Sequence, residues 1–529
     1  MGKIPKRAVK KFLSRKRDDF RGYKKLNYKQ LKALKDELPV KPPVWKRLWK
    51  HQRACLLLGI KCKKFFYNLD TGCGKTFLSI ALVKYFRKAE NAGPFMIIVP
   101  NRVNLYEWEA EIHIHSPRSK CLLLDKTVQT NWENLMNFKG SFCIITWGAL
   151  RYLVCGKRER KKKKGSEAKG KSSNEMFISD KHIRWLLKCL SGLIIDESTV
   201  SGGSASLDTR IVRRLSKVLK YVFLLTGTPF GKNPELLWSQ MFLVDRGYSL
   251  GETLGLFRQG FFSEVDNLFS DYPDYVFKKS MQNTLHNFIA HRSIRYEATG
   301  LPKCLSIVKR VNIPKEAFPH FQKAEKDFKE ALRGQGLDSL KRIQSSFVRL
   351  RQISSGYVGF TDTENTSKVH FEFQENPKLE LLLSLLDEIV PSHKAIVFFD
   401  YVYTGKMLSN ALKKQKIKHY LIQGGTKNQK EKLSGFKGDD RYRVFLLNNF
   451  CGSFGLNLQI AKYGIYFESP LSPITRLQTR RRYERQGSKH STVFLYDLIM
   501  RGTKDEDILE SLKDGIDLFE AIIEGKGKK

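Results

Sequence analysis

The stretch FFYNLDTGCGKTFLSIALVKYF, Phe65 to Phe86, runs from an apolar strand-like segment through a glycine-rich turn into an amphipathic helix. Gly72, Gly74, Lys75 and Thr76 sit where such a turn would close on phosphate. Glycines let backbone N–H groups approach the anion, and the helix N-terminus adds positive potential. Lys75 is placed to reach the β- and γ-phosphates and Thr76 to hold Mg²⁺. Leu69 stands where the common pattern has its first glycine, so the strand and helix flanks carry the reading.

Further along, LIIDEST ends an apolar run in Asp196 and Glu197. Adjacent carboxylates at the end of a buried strand can divide the work, Asp196 on the metal and Glu197 on the attacking water. Asp439 and Asp440, in KGDDRY, have no such strand and read as a solvated turn. LLTGTP follows another strand, and the hydroxyls of Thr226 and Thr228 are candidates to link the nucleotide site to something outside it.

With 529 residues, the chain exceeds one hydrophobic core. Its formal charge is +42, from 95 Lys and Arg against 53 Asp and Glu, which favours a polyanionic partner and nucleic acid first. No apolar run approaches the ~20 residues of a membrane span, and none resembles a signal peptide, so an intracellular location in cytoplasm or nucleus is expected. Nine scattered cysteines without a Cys-x-x-Cys pair argue against a disulfide framework or a zinc ribbon. Alternation in EIHIHSP places His113 and His115 on one strand face near Glu111, a weak metal pattern.

Hydrophobic patterning predicts an α/β chain with two parallel-sheet lobes. Residues 1–44 read as a basic arm, 45–229 as lobe one, 230–372 as helical protrusions and linker, 373–505 as lobe two, and 506–529 as a C-terminal helix and tail. The tract 156–176 reads as a basic surface loop, either a DNA tether or solvated.

In this order, phosphate loop, Asp-Glu, Thr-Gly-Thr-Pro and a distal arginine-rich segment resemble helicase superfamily two, with two RecA-like lobes. The details look most like its Swi/Snf-type ATPases. TGTPFGKNPELLWSQ matches at Asn233, Glu235, Leu237 and Trp238. CGSFGLNLQIA resembles the glycine-rich motif of lobe two, through Gly455 and Asn457, and PITRLQTRRRYERQGS the last motif, through Gln478, Arg482 and Arg485. The resemblance implies that Gln52, in LWKHQ, reads adenine, and that Gly455 and Gln478 assist at the nucleotide. It gives Arg482 and Arg485 to the phosphates, where they are expected on one helix face. DNA contacts are implied for Asn101, Arg102, Thr146, Trp147, Thr226 and Asn457. Thr199 occupies the position of the family's usual histidine.

The cofactors implied are ATP and Mg²⁺. The activity implied is a DNA-stimulated ATPase, a monomeric motor in which hydrolysis drives translocation on double-stranded DNA. Unwinding or branch migration of forked DNA is the alternative, and a non-catalytic basic protein on the same fold is a third. No chromatin-reading module is visible, which makes a compact phage or viral motor an open expectation.

Overall fold

A computed structural model describes residues 4–158, 175–199, 203, 205–267, 272–334, 336–361, 368–452, 458–485 and 487–524. The chain divides into two compact units, one of Met1–Phe262, Phe277–Ala298 and Glu520–Lys529, the other of Ser263–Val276 and Thr299–Phe519. Each is built on its own parallel sheet.

In the first unit the strands are β1 (Lys64–Leu69), β2 (Phe95–Val99), β3 (Cys121–Leu123), β4 (Phe142–Thr146), β5 (Gly192–Asp196), β6 (Tyr221–Thr226) and β7 (Ser293–Tyr296). They lie in the order β7-β1-β6-β5-β2-β4-β3, every pairing parallel. β2, β5 and β6 are buried at every residue, which explains why they read as continuous apolar runs rather than alternating ones. Because β6 lies between β1 and β5, with Asn68 opposite Thr226 and Asp196 opposite Leu225, the three motif-bearing strand ends adjoin one another. That placement builds the site.

Residues 4–44, an arm by composition, contain helices Lys6–Leu13 and Tyr28–Asp36. Their few apolar side chains are the anchors. Phe12 is buried, edge-on to Phe261 and Phe288 at 6.2 and 5.8 Å, while Phe20 meets Phe65 and Leu31 packs with Ala54 and Leu57. The EIHIH segment lies in a helix, Arg102–His115, not a strand. Leu105, Trp108 and Ile112 recur at helical spacing on its buried face, and Glu111 pairs with His115 one turn on at 3.1 Å. Among the described residues no three His, Cys, Asp or Glu side chains gather as a metal site, and no helix is long and apolar enough to cross a membrane. Cys155–Arg158 and Glu175–Ile178 form an antiparallel ribbon at the base of the basic tract, whose residues 159–174 lie outside the described residues.

The second unit carries β8 (Lys303–Val311), β9 (Ala395–Phe399), β10 (His419–Ile422), β11 (Val444–Asn448), β12 (Tyr463–Tyr466) and β13 (Thr492–Met500). Their order is β8-β13-β12-β9-β11-β10, again wholly parallel. The stretch 230–372 is thus not only helical: it supplies β7 to one sheet and β8 to the other, besides the helices Phe318–Arg333 and Gly336–Ser354. A fully buried Lys378 pairs with Asp505 at 2.6 Å, fastening the helix Lys504–Phe519 onto the helix Pro377–Ile389.

Phe12→Ala removes a buried ring and is expected to cost about 3 to 5 kcal/mol, seen as a lowered thermal unfolding temperature of the first unit. An unchanged transition would show that the N-terminal segment is not part of that core.

Candidate nucleotide site

β1 ends at Leu69, and the chain then turns through Asp70–Gly74 into the helix Lys75–Glu90. Gly72 and Gly74 have φ of 93° and 71°, values that side-chain-bearing residues rarely adopt. Gly74 caps the helix and has no side chain to satisfy the first-turn amides. They are left to receive an anion. The Lys75 ammonium donates to the Leu69 carbonyl at 3.2 Å, so the residue replacing the first glycine contributes its backbone while its side chain is buried. Thr76 lies half-buried in the first helical turn.

Gln52, in the helix Lys50–Cys62, packs onto this loop. Its oxygen accepts from Trp49 N at 2.9 Å, and its nitrogen donates to the Gly74 carbonyl at 3.2 Å. A Cβ at Gly74 would collide with that amide. In this structure the residue assigned to adenine braces the phosphate loop, helped by His51 Nε2, 2.9 Å from the Cys73 carbonyl.

At the end of β5, Asp196 is buried. Its Oδ2 accepts from the Trp108 indole at 2.8 Å and its Oδ1 from Glu197 N at 3.0 Å. Burial, with the neighbouring Glu197 charge, pushes its carboxyl up to about 6, while Lys75 pulls the other way. A buried carboxylate short of positive charge beside a phosphate loop fits a divalent cation, and oxygen donors from Asp196 and Thr76 suit Mg²⁺, which takes few protein ligands and completes its shell with phosphates and water. Glu197 has φ of 46°, a left-handed conformation costing of order 1 to 3 kcal/mol for a residue with a side chain. Its Oε2 accepts from the Thr226 hydroxyl at 3.1 Å.

Two contacts here were not anticipated from the sequence. Arg295, at the centre of β7, pairs with Asp70 at 3.1 Å and donates to the Gly227 carbonyl at 3.2 Å, with both charged side chains buried. The available signal was an arginine inside the strand-like SIRY, since a charge at a buried register needs a partner. The other contact involves Ser198, whose hydroxyl donates to Gln240 at 2.8 Å, while Gln240 donates to the Pro229 carbonyl at 2.7 Å.

Asn101, after β2, and Thr146, the last residue of β4, cap helices, accepting from Asn104 N at 3.1 Å and Ala149 N at 3.3 Å. Arg102 is exposed in the first turn after Asn101. Trp147 and Thr226, assigned to nucleic acid, are turned inward, 5% and 0% exposed. In the second unit the helix Pro473–Arg480 stops before Arg482 and Arg485, so they do not share a helix face. They lie in consecutive turns, Arg482 N on the Thr479 carbonyl and Arg485 N on the Tyr483 carbonyl. Glu484 accounts for the rest of the arginine run, pairing with Arg480 at 2.7 Å and Arg481 at 3.4 Å. Gln478 is half-buried on the helix; Gly455 and Asn457 lie outside the described residues.

Two family models match the chain, an SNF2-related domain over residues 67–356 and a helicase conserved C-terminal domain over residues 377–487. Among curated proteins, the nuclear protein STH1/NPS1 of Saccharomyces cerevisiae is 24% identical over 488 residues, covering 86% of this chain and 33% of that protein. The chromodomain-helicase-DNA-binding protein 1-like of Mus musculus is 23% identical over 475 residues, covering 86% and 47%. The chain thus spans less than half the length of these relatives. A Sulfolobus solfataricus SWI2/SNF2 ATPase core solved in complex with dsDNA aligns over 90% of this chain and 92% of that one, with 19% identity and a TM-score of 0.37. With the SNF2-related model covering more than half of its length, the chain belongs to the SNF2-related family, the Swi/Snf-type ATPases of helicase superfamily two.

Proposed function

We propose that this chain is a DNA-stimulated ATPase that uses hydrolysis to translocate along double-stranded DNA, displacing or remodelling what is bound there. The observation that carries the reading is the convergence, at the adjoining ends of β1, β6 and β5, of Lys75, Thr226 and the Asp196–Glu197 pair. Family membership supports ATP as the substrate, and the names of the relatives, one a DNA-binding helicase-type protein and one nuclear, support DNA as the partner. The charge of +42 supports a polyanion independently. A phage or viral origin gains no support from these relatives.

The residues divide the work as follows. The amides after Gly74 and the Lys75 ammonium bind and orient the phosphates. Thr76 and Asp196 would hold Mg²⁺, which supplies neutralising charge at the β- and γ-phosphates. Glu197 orients the attacking water and takes its proton, once it is released from Thr226. The role the family resemblance gives to Arg482 and Arg485 is to stabilise the charge that spreads over the transferred phosphoryl group. Asn101, Arg102 and Thr146, at the ends of β2 and β4, place their loops on the nucleic acid.

Lys75→Ala and Glu197→Gln are expected to abolish DNA-stimulated ATP turnover while DNA binding, measured by fluorescence anisotropy, survives; full activity in both would overturn the site. Arg485→Ala should lower kcat by about 10³-fold with ATP affinity nearly intact. Weakened ATP binding with normal turnover would remove Arg485 from the transition state.

A further inference from the structure

The segment Asp196–Thr199 is tied to the turn after β6 by a set of hydroxyls whose protons can be counted. Thr226 Oγ1 accepts from Thr228 N at 3.1 Å and gives its single proton to Glu197 Oε2 at 3.1 Å. Thr199 Oγ1 gives its proton to the Thr228 carbonyl at 2.7 Å. The two hydroxyl oxygens lie 3.3 Å apart. With both protons committed elsewhere, that last contact holds none while Glu197 faces Thr226.

Hydrolysis changes the count, because Glu197 must turn toward water. Thr226 is fully buried, so solvent does not take its place. A buried hydroxyl left without an acceptor costs about 1 to 3 kcal/mol, which would hold Glu197 where it is. Thr199 Oγ1 retains a lone pair and already stands in range. Ser198, also fully buried, has its hydroxyl on Gln240.

We infer that Thr199 is a positioning residue for ATP hydrolysis, its hydroxyl being the second acceptor that receives the Thr226 proton when Glu197 leaves Thr226 for the attacking water. No covalent bond changes; one hydrogen bond is exchanged for another. The role belongs to this chain's threonine, at the position where the family usually has histidine, and it rests on the ATPase reading above.

The test uses the full chain, ATP and saturating duplex DNA. Thr199→Val keeps the shape of the side chain and removes the acceptor, together with the donor to the Thr228 carbonyl. It is expected to lower kcat roughly tenfold with KM for ATP and DNA affinity unchanged. Thr199→Ser should restore kcat. Thr226→Val removes the hold on Glu197, so adding Thr199→Val to it should produce no further loss of kcat. Wild-type kcat in Thr199→Val, no rescue by serine, or additive losses in the double variant would each overturn the inference. Should Thr199→Val not fold, Thr199→Ala carries the same comparison. A wild-type chain without DNA-stimulated turnover would instead overturn the ATPase reading and this inference together, which separates the two failures.

Discussion

The first unit depends on a charge buried where strands meet. Arg295 reaches from β7 across β1 to Asp70, at the start of the phosphate loop, and to the Gly227 carbonyl in the turn after β6. Removing both charges from water is costly, and the loss is offset only by close geometry and by further hydrogen bonds, such as that from Ala298 N to the other Asp70 oxygen at 3.3 Å. Such a pair tolerates little displacement. It therefore ties the phosphate loop and the Thr-Gly-Thr-Pro turn to β7. Gly227 shows how tight the fit is, since a Cβ there would lie 3.2 Å from the Leu69 carbonyl.

On the proposed reading, the Glu197 carboxylate is the group that changes partners. Its left-handed backbone and its bond to Thr226 hold it in a defined position. Thr199 and Ser198, which follow it directly, are hydrogen-bonded to the segment that runs from Thr226 to Gln240.

The phosphate loop and the Asp-Glu strand end were legible because their chemistry is local: glycines where φ is positive, and acids ending an all-buried strand. The sheets were legible for a similar reason, since strands buried on both faces read as unbroken apolar runs. What escaped depends on distant partners or on where an element stops. The Asp70–Arg295 pair joins residues remote in sequence, and nothing beside either one announces the other. Arg482 and Arg485 were expected on one helix face, but the helix ends at Arg480 and Glu484 gathers Arg480 and Arg481 in the turn beyond. In EIHIH, two-residue alternation hid a helix whose buried face is set by Leu105, Trp108 and Ile112. The N-terminal segment was dominated by lysines, while its structure rests on Phe12, Phe20 and Leu31.

The most direct measurement of the central claim is displacement of a third strand from a DNA triplex, run beside unwinding of a forked duplex with the same protein and ATP. The account predicts ATP-dependent release of the third strand, with the fork left paired and no release by Lys75→Ala. Efficient fork unwinding without third-strand release would contradict it, and would make the chain a strand-separating enzyme instead of a duplex translocase.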